Sequence, residues 1–320
     1  AYDSVSNRTL KNVDGDETVY TYNSLNQLVS DSETTYEYDL NGNLIRVIGK
    51  TNSALYVYNA ENKLIKATVQ NGSLVIEESY TYDYQGNRTS KTTHKSNGEI
   101  EYIKYLNDNS SLTNVLAEID ENGTAKCVYT IGADLVSQER DGKVFVYLYD
   151  GHGSVVGLAN ESGAVTDTYS YDAFGNLLKS KGSTKNCYRY CGEQFDETTG
   201  LYYLRVRYMD TSTGRFISQD SYAGSISDPV SLHKYLYANA NPVTYSDPSG
   251  YIADMVVTGA INAELYNADI IQSSAALATG MKLISALKPI IMYSFLIGGI
   301  IAAWVSFCMP SIADGTYTAI

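Results

Sequence analysis

Proline is scarce in this chain, five residues in 320, and tryptophan occurs once. Histidine numbers three and cysteine four, all scattered. Each shortage closes off a reading. His94, His152 and His233 lie far apart with no H-E-x-x-H spacing, so no zinc-hydrolase motif is present. They are expected at polar surface or turn positions. Cys127, Cys187, Cys191 and Cys308 include no paired C-x-x-C set, and the Cys187/Cys191 pair lacks the companions of a zinc site. Two buried thiols fit that pair better than a local disulfide, and no cofactor is implied. Basic runs are also missing, and the net charge is −13. Phosphate neutralisation needs clustered Lys and Arg, so composition argues against a nucleic-acid partner and for acidity that serves solubility. No basic segment leads into an apolar stretch at the start, so no signal peptide is visible.

Tyrosine, by contrast, outnumbers phenylalanine 30 to 6. The excess comes from a repeat. Tyr36-Glu37-Tyr38-Asp39-Leu40-Asn41-Gly42-Asn43-Leu44 recurs as Tyr80 to Arg88 and as Tyr169 to Leu177, with weaker copies at Tyr20, Tyr56 and Tyr147. The chain opens within a further copy, at Tyr2-Asp3 and Asn7-Arg8, and so reads as the C-terminal piece of something longer. β-branched and aromatic runs between Asn, Gly and Asp give an all-β profile.

Each copy predicts a hairpin. In Tyr-x-Tyr both rings fall on one strand face, because side chains alternate with period two. Asp39, Asp83 and Asp172 cap the turn through backbone donors. Gly42-Asn43, Gly86-Asn87 and Gly175-Asn176 supply residues tolerant of positive φ. Starts at 20, 36, 56 and 80 leave sixteen to twenty-four residues per copy, room for two short strands and two turns. One such unit cannot bury its own ring face, so the copies are expected to form one continuous sheet. The rings serve better as filling of that sheet than as a carbohydrate platform.

This Tyr-Asp repeat with its Gly-Asn turn resembles the YD-repeat, or Rhs, family. The resemblance extends through Tyr188-Arg189-Tyr190-Cys191-Gly192-Glu193-Gln194-Phe195-Asp196 to Gly200-Leu201-Tyr202-Tyr203-Leu204-Arg205-Val206-Arg207-Tyr208. It continues through Gly214-Arg215-Phe216-Ile217-Ser218-Gln219-Asp220 and ends at Asp247-Pro248-Ser249-Gly250-Tyr251, similar to the family's DPxG motif. It covers residues 1–251. It implies a spiral β-sheet shell over 1–185, a core-associated region over 186–251 that closes one end, and a variable segment over 252–320. In the family that segment is commonly a toxin held in the shell and cut loose at its start.

Two carboxylates in a dry site cannot both ionise easily, so one keeps its proton and the pair divides acid and base work. The family associates an Arg and two Asp with self-cleavage after the DPxG-plus-one residue. The resemblance maps these onto Arg207, Asp220 and Asp247, with the scissile bond at Tyr251-Ile252. Arg207 would orient the acids or hold one ionised. The family usually places Pro after the first Asp. Here Asp220 precedes Ser221, while Asp228 precedes Pro229, which makes Asp228 a rival. Asp-Pro and Ser-Gly are also ordinary turn formers, and Arg207 or Arg215 could simply pair with a nearby acid.

After Tyr251 the composition changes. Val257, Ile261 and Leu265 recur at helical spacing, as do Leu277, Met281 and Ile284. Pro289 to Met309 carries no charge, and as a helix would span about 31 Å, close to a bilayer core. Tyr293 and Trp304 lie near its ends, and Ser294, Gly298 and Ala302 form a small-residue stripe beside Gly299 and Ala303. With no His and only Asp254, Glu264, Asp269 and Asp314 as acids, the segment shows no nuclease, deaminase or ADP-ribosylating set. A mainly helical, membrane-active tip is the expectation, and a buried soluble helix the plainer reading. The implied partners are this segment as cargo, a cognate immunity protein and a target-cell membrane. The implied setting is secretion by, or the surface of, a bacterium. The alternative is an adhesion repeat protein whose tail is an unreleased membrane anchor.

Overall fold

The computed structural model describes residues 1–256 except 109, 111 and 133. Its architecture starts from the turn. The Asp39 carboxylate accepts the N–H groups of Asn41 (2.9 Å) and Asn43 (2.8 Å), and its other oxygen accepts Asn43 Nδ2 at 2.9 Å. Asp83 and Asp172 repeat this with Asn87 and Asn176. The aspartates cap the turn as expected. The glycine and asparagine divide the work differently. Gly42, at φ +80°, takes the left-handed step, whereas Asn43 is buried and ties the turn inward. In weaker copies Asn26 and Asn62, both at φ +59°, stand where the glycine would be. Asn43 Nδ2 also donates to Asn62 Oδ1 at 2.9 Å, and Asn7 Nδ2 to Asn26 Oδ1 at 3.0 Å, so the side chain links one turn to the next.

Hairpin follows hairpin to give a sixteen-stranded antiparallel sheet from Thr21–Tyr22 to Leu177–Lys181, every strand bonded to its sequence neighbours. The register shifts where the second tyrosine meets the residue after the turn, as at Tyr38 opposite Leu44, Tyr58 opposite Leu64, Tyr82 opposite Arg88 and Tyr171 opposite Leu177. This recurring bulge bends each hairpin at the same place.

The tyrosine face is the core. Tyr20, Tyr36, Tyr56 and Tyr80 are buried with Leu28, Leu44, Leu64 and Ala67. The second tyrosine of a copy satisfies its hydroxyl on the main chain of an earlier unit: Tyr58 donates to Leu44 O at 3.0 Å, Tyr82 to Leu64 O at 2.6 Å and Tyr171 to Val155 O at 2.8 Å. Each buried ring contributes roughly 2 kcal/mol by area, and the bonded hydroxyl avoids the cost of an orphaned polar group. The rings fill the sheet's inner side and are not displayed as a platform.

Residues 186–251 pack on that face. A four-stranded sheet of Gln194–Asp196, Leu201–Leu204, Arg207–Asp210 and Arg215–Phe216 brings Leu201, Tyr203, Tyr208 and Ile217 into the first tyrosine cluster. Tyr188 joins a second cluster with Tyr129 and Tyr147. Among the described residues there is no α-helix, only 3-10 turns at Tyr190–Gly192, Pro229–Leu232 and Ala238–Ala240. Asp254–Met255 pairs with Tyr245–Ser246, so the first residues beyond the motif are extended rather than helical. The helical pattern expected from Val257, and the apolar span Pro289 to Met309, lie outside the described residues. Among the described residues no helix is long and apolar enough to cross a membrane.

Cys127, Cys187 and Cys191 are free thiols, each pushed up to about 12 by burial. One histidine departs from expectation. His233 is buried, not on the surface; its Nδ1 accepts Tyr235 N–H at 3.1 Å, which leaves Nε2 to donate to Asn7 Oδ1 at 2.8 Å. Burial, with Arg215 nearby, lowers it to about 4.

Candidate self-cleavage junction

The junction is built on a tight reversal in the small sheet. Arg205 takes a left-handed φ of +55°, and Val206 N–H closes on Leu204 O at 2.6 Å, so the chain re-enters the sheet at Arg207. The Arg207 guanidinium is buried over the Phe216 ring, its central carbon 3.6 Å from the ring centre. Its Nη2 lies 2.9 Å from Asp220 Oδ2 and 3.4 Å from Asp247 Oδ2. Its Nε donates to the Gly250 carbonyl and its Nη1 to Lys234 O at 3.3 Å. One guanidinium therefore joins both acids and the backbone just before the expected scissile bond.

The two acids differ in setting. Asp247 is the more buried, and burial raises it above its ordinary value; Arg207 offsets part of the rise, and the charge of Asp220 adds to it. Asp220 is also raised by burial, but it sits closer to Arg207 and accepts Tyr222 N–H at 2.8 Å. Burial lowers Arg207 while the two carboxylates counter it. A shared cation with unequal burial separates the two acids chemically: the charge is less well accommodated on Asp247 than on Asp220, which lies closer to Arg207.

A second arginine clamps the same loop. Arg205 Nη1 donates to Pro248 O and to both oxygens of Glu193, at 2.8 and 2.9 Å. Arg205 and Arg207 thus hold the carbonyls of Pro248 and Gly250, two residues apart on each chain. Gly250, at φ +73°, makes this approach possible: a Cβ there would lie 2.3 Å from Leu204 O and 3.1 Å from Arg207 N. Tyr251 and Ile252 follow on the surface.

The structure brings Arg207, Asp220 and Asp247 together. Asp228 is exposed, and its backbone starts the turn into Pro229–Leu232. The acids paired with Arg207 are Asp220 and Asp247. Arg215 instead bonds Asn7 Oδ1 at 2.9 Å and the Asn26 carbonyl, tying the last hairpin of the small sheet to the first repeats. Sequence reasoning missed Arg205, Glu193 and Ser249. The Arg-x-Arg spacing opposite Pro248-x-Gly250 was the available signal for the first of them.

This sheet of bulged tyrosine hairpins, closed on its ring face by a block ending in Asp-Pro-Ser-Gly, matches a known family. The Teneurin YD-shell family model matches residues 1–243, and the chain belongs to that family. It is 36% identical over 271 residues to the tRNA3(Ser)-specific nuclease WapA of Bacillus spizizenii, covering 82% of this chain and 11% of that protein. It is 35% identical, with the same coverage, to the tRNA nuclease WapA of Bacillus subtilis strain 168. The chain therefore spans about a tenth of the length of these relatives. The solved TcdB2-TccC3-Cdc42 structure is similar in fold, with a TM-score of 0.50 at 20% identity over 82% of this chain and 17% of that one.

Proposed function

We propose that this chain is part of a secreted bacterial YD-shell toxin that cuts itself between Tyr251 and Ile252, releasing residues 252–320 as a membrane-active tip held as cargo until then. The observation that carries the reading is the double engagement of Arg207, on both Asp220 and Asp247 and on the Gly250 carbonyl. In the reaction, water is deprotonated by the Asp220 carboxylate and attacks the Tyr251 carbonyl carbon, while Asp247 supplies the proton that leaves with the Ile252 nitrogen. Arg207 keeps Asp220 ionised and fixes the loop. Self-cutting in such a site needs no external substrate, which suits a junction whose acids are buried by its own chain.

The test is intact mass of the wild type against Asp220→Asn and Asp247→Asn. A wild type cut after Tyr251 and variants that stay whole support the reading; a folded wild type that stays whole ends it. A second reading of the tip rests on the relatives named as tRNA nucleases. Expression of residues 252–320 in bacteria separates the two: loss of membrane potential supports the membrane tip, and cleaved tRNA with potential intact supports the nuclease. Harmless insertion, with no cleavage of the parent chain, supports the anchor. A released toxin further implies an immunity protein in the producing cell.

A further inference from the structure

The Ser249 hydroxyl stands between an acid and the bond assigned above as scissile. Its Oγ donates to Asp247 Oδ1 at 3.2 Å. The same oxygen accepts Tyr251 N–H at 3.1 Å and Ile252 N–H at 3.4 Å. Ile252 N is the leaving nitrogen. The other Asp247 oxygen, Oδ2, accepts from Arg207 Nη2 at 3.4 Å, and that cation disfavours a proton there. A proton on Asp247 is better placed on Oδ1, where it is directed at Ser249 Oγ once the serine hydroxyl hydrogen turns away.

We infer that Ser249 is a catalytic residue of the self-cleavage, carrying the proton from Asp247 to the Ile252 nitrogen; this rests on the cleavage reading proposed above. As water adds to the Tyr251 carbonyl and gives one proton to Asp220, the Ile252 nitrogen becomes pyramidal and turns its freed lone pair toward Ser249, whose hydroxyl turns from Asp247 to meet it. The Asp247 Oδ1 proton moves to Ser249 Oγ, the former Ser249 proton moves to Ile252 N, and the carbon–nitrogen bond breaks. The products are a Tyr251 carboxyl group and an Ile252 amine. Asp247 is left ionised and Asp220 protonated, and one proton passed between them restores the start. Serine serves here because a hydroxyl accepts and donates through one atom.

The experiment is a cell-free pulse of the full 320-residue chain, with the cut fraction followed by intact mass across pH. Thermal melting of the uncut Asp247→Asn background, with and without each Ser249 change, reports folding. Ser249→Ala is expected to slow cleavage about 10²-fold, the usual scale for a proton-transfer group. Ser249→Thr, which keeps the hydroxyl, is expected to stay within a few-fold of wild type. Wild type and Thr should also share an alkaline fall in rate, as Asp247 loses the proton it passes on, and the Ala variant should lose that fall. A wild type that cuts while Ala cuts equally fast overturns the role of Ser249 alone. So does a Thr variant as slow as Ala, because shape rather than the hydroxyl would then decide. A wild type that never cuts overturns the cleavage reading and this inference with it.

Discussion

Arg88 is the first residue after the Gly86-Asn87 turn, a place that Leu44 and Leu177 fill with aliphatic side chains, and it offers the sharpest test of how the block is held. Its guanidinium is 2% exposed and bonds Asp196, also 2% exposed, and Gln194 Oε1 at 2.8 Å. It lies 4.4 to 5.9 Å from the ring centres of Tyr203, Tyr105, Tyr80 and Tyr208. Removing one partner of a buried pair costs about 3 to 5 kcal/mol, because the other is left uncompensated. Asp196 keeps Lys91 at 2.9 Å, so Arg88→Met, which preserves most of the volume, should fall at the lower end, about 3 kcal/mol. For a domain of this size that is a fall in Tm of roughly 6 to 12 °C.

pH supplies a second signature. After the opposing effect of burial, Arg88 is the largest influence holding Asp196 below its usual range. Stability from such a depressed carboxylate is present above its unfolded value, near 3.8, and is lost as pH falls through the folded one. The gap between wild type and Arg88→Met should therefore be widest at neutral pH and shrink in acid. Urea melts at pH 7 and pH 3.5 measure it. Asp196→Asn in the Arg88→Met background should recover more than 1 kcal/mol, since Lys91 still has Glu78 at 3.7 Å. A single variant within 1 kcal/mol of wild type at neutral pH, or strictly additive losses in the double, would refute the reasoning.

Other outcomes follow from the same structure. His233, lowered to about 4 from 6.5, should make stability fall as pH drops from about 6.5 to 4, by about 3 kcal/mol in all. His233→Gln should flatten that window in pH-dependent melts. Gly250→Ala should displace the junction loop from Leu204 O and cost about 2 kcal/mol or more, read as a lower Tm and, on the cleavage reading, as an uncut chain. Cys127, which is buried, and Cys187 and Cys191, which are partly buried, are each pushed up to about 12 and should label slowly with a thiol reagent at pH 8 and rapidly in urea; fast native labelling of these three contradicts the raised values.

What could be read from the sequence was local. The Asp39 turn, the Tyr36/Tyr38 alternation and the strand succession depend on neighbours within a few residues, and each hairpin pairs with the next. The inward role of Asn43 was not legible, because its partner Asn62 lies 19 residues on. Arg207, Asp220 and Asp247 became candidates by resemblance, whereas the choice against Asp228 needed a fold that joins residues 40 apart. His233 reads as a turn residue until Asn7, 226 positions away, is seen to accept its Nε2–H. Ser249 was passed over as half of a Ser-Gly turn. In the structure it makes such a turn, and its oxygen also meets an acid and the amides of Tyr251 and Ile252.

The junction and the tyrosine sheet are coupled through Arg207 itself. Its guanidinium rests on Phe216, which packs with Tyr190, Tyr202 and Tyr237 in the third core cluster. The neighbouring strand residues Tyr203 and Tyr208 belong to the cluster beneath the first repeats. The packing around Phe216 that buries Arg207 also takes its partners Asp220 and Asp247 out of water. In an open chain both would ionise in water at neutral pH, and no acid would remain to protonate a leaving amine. On the proposed reading this makes cutting a consequence of folding: release could not precede packing of the block, because that packing makes the dry site. Loosening that packing through Arg88→Met, far from either acid, should then slow cleavage as well as lower the Tm.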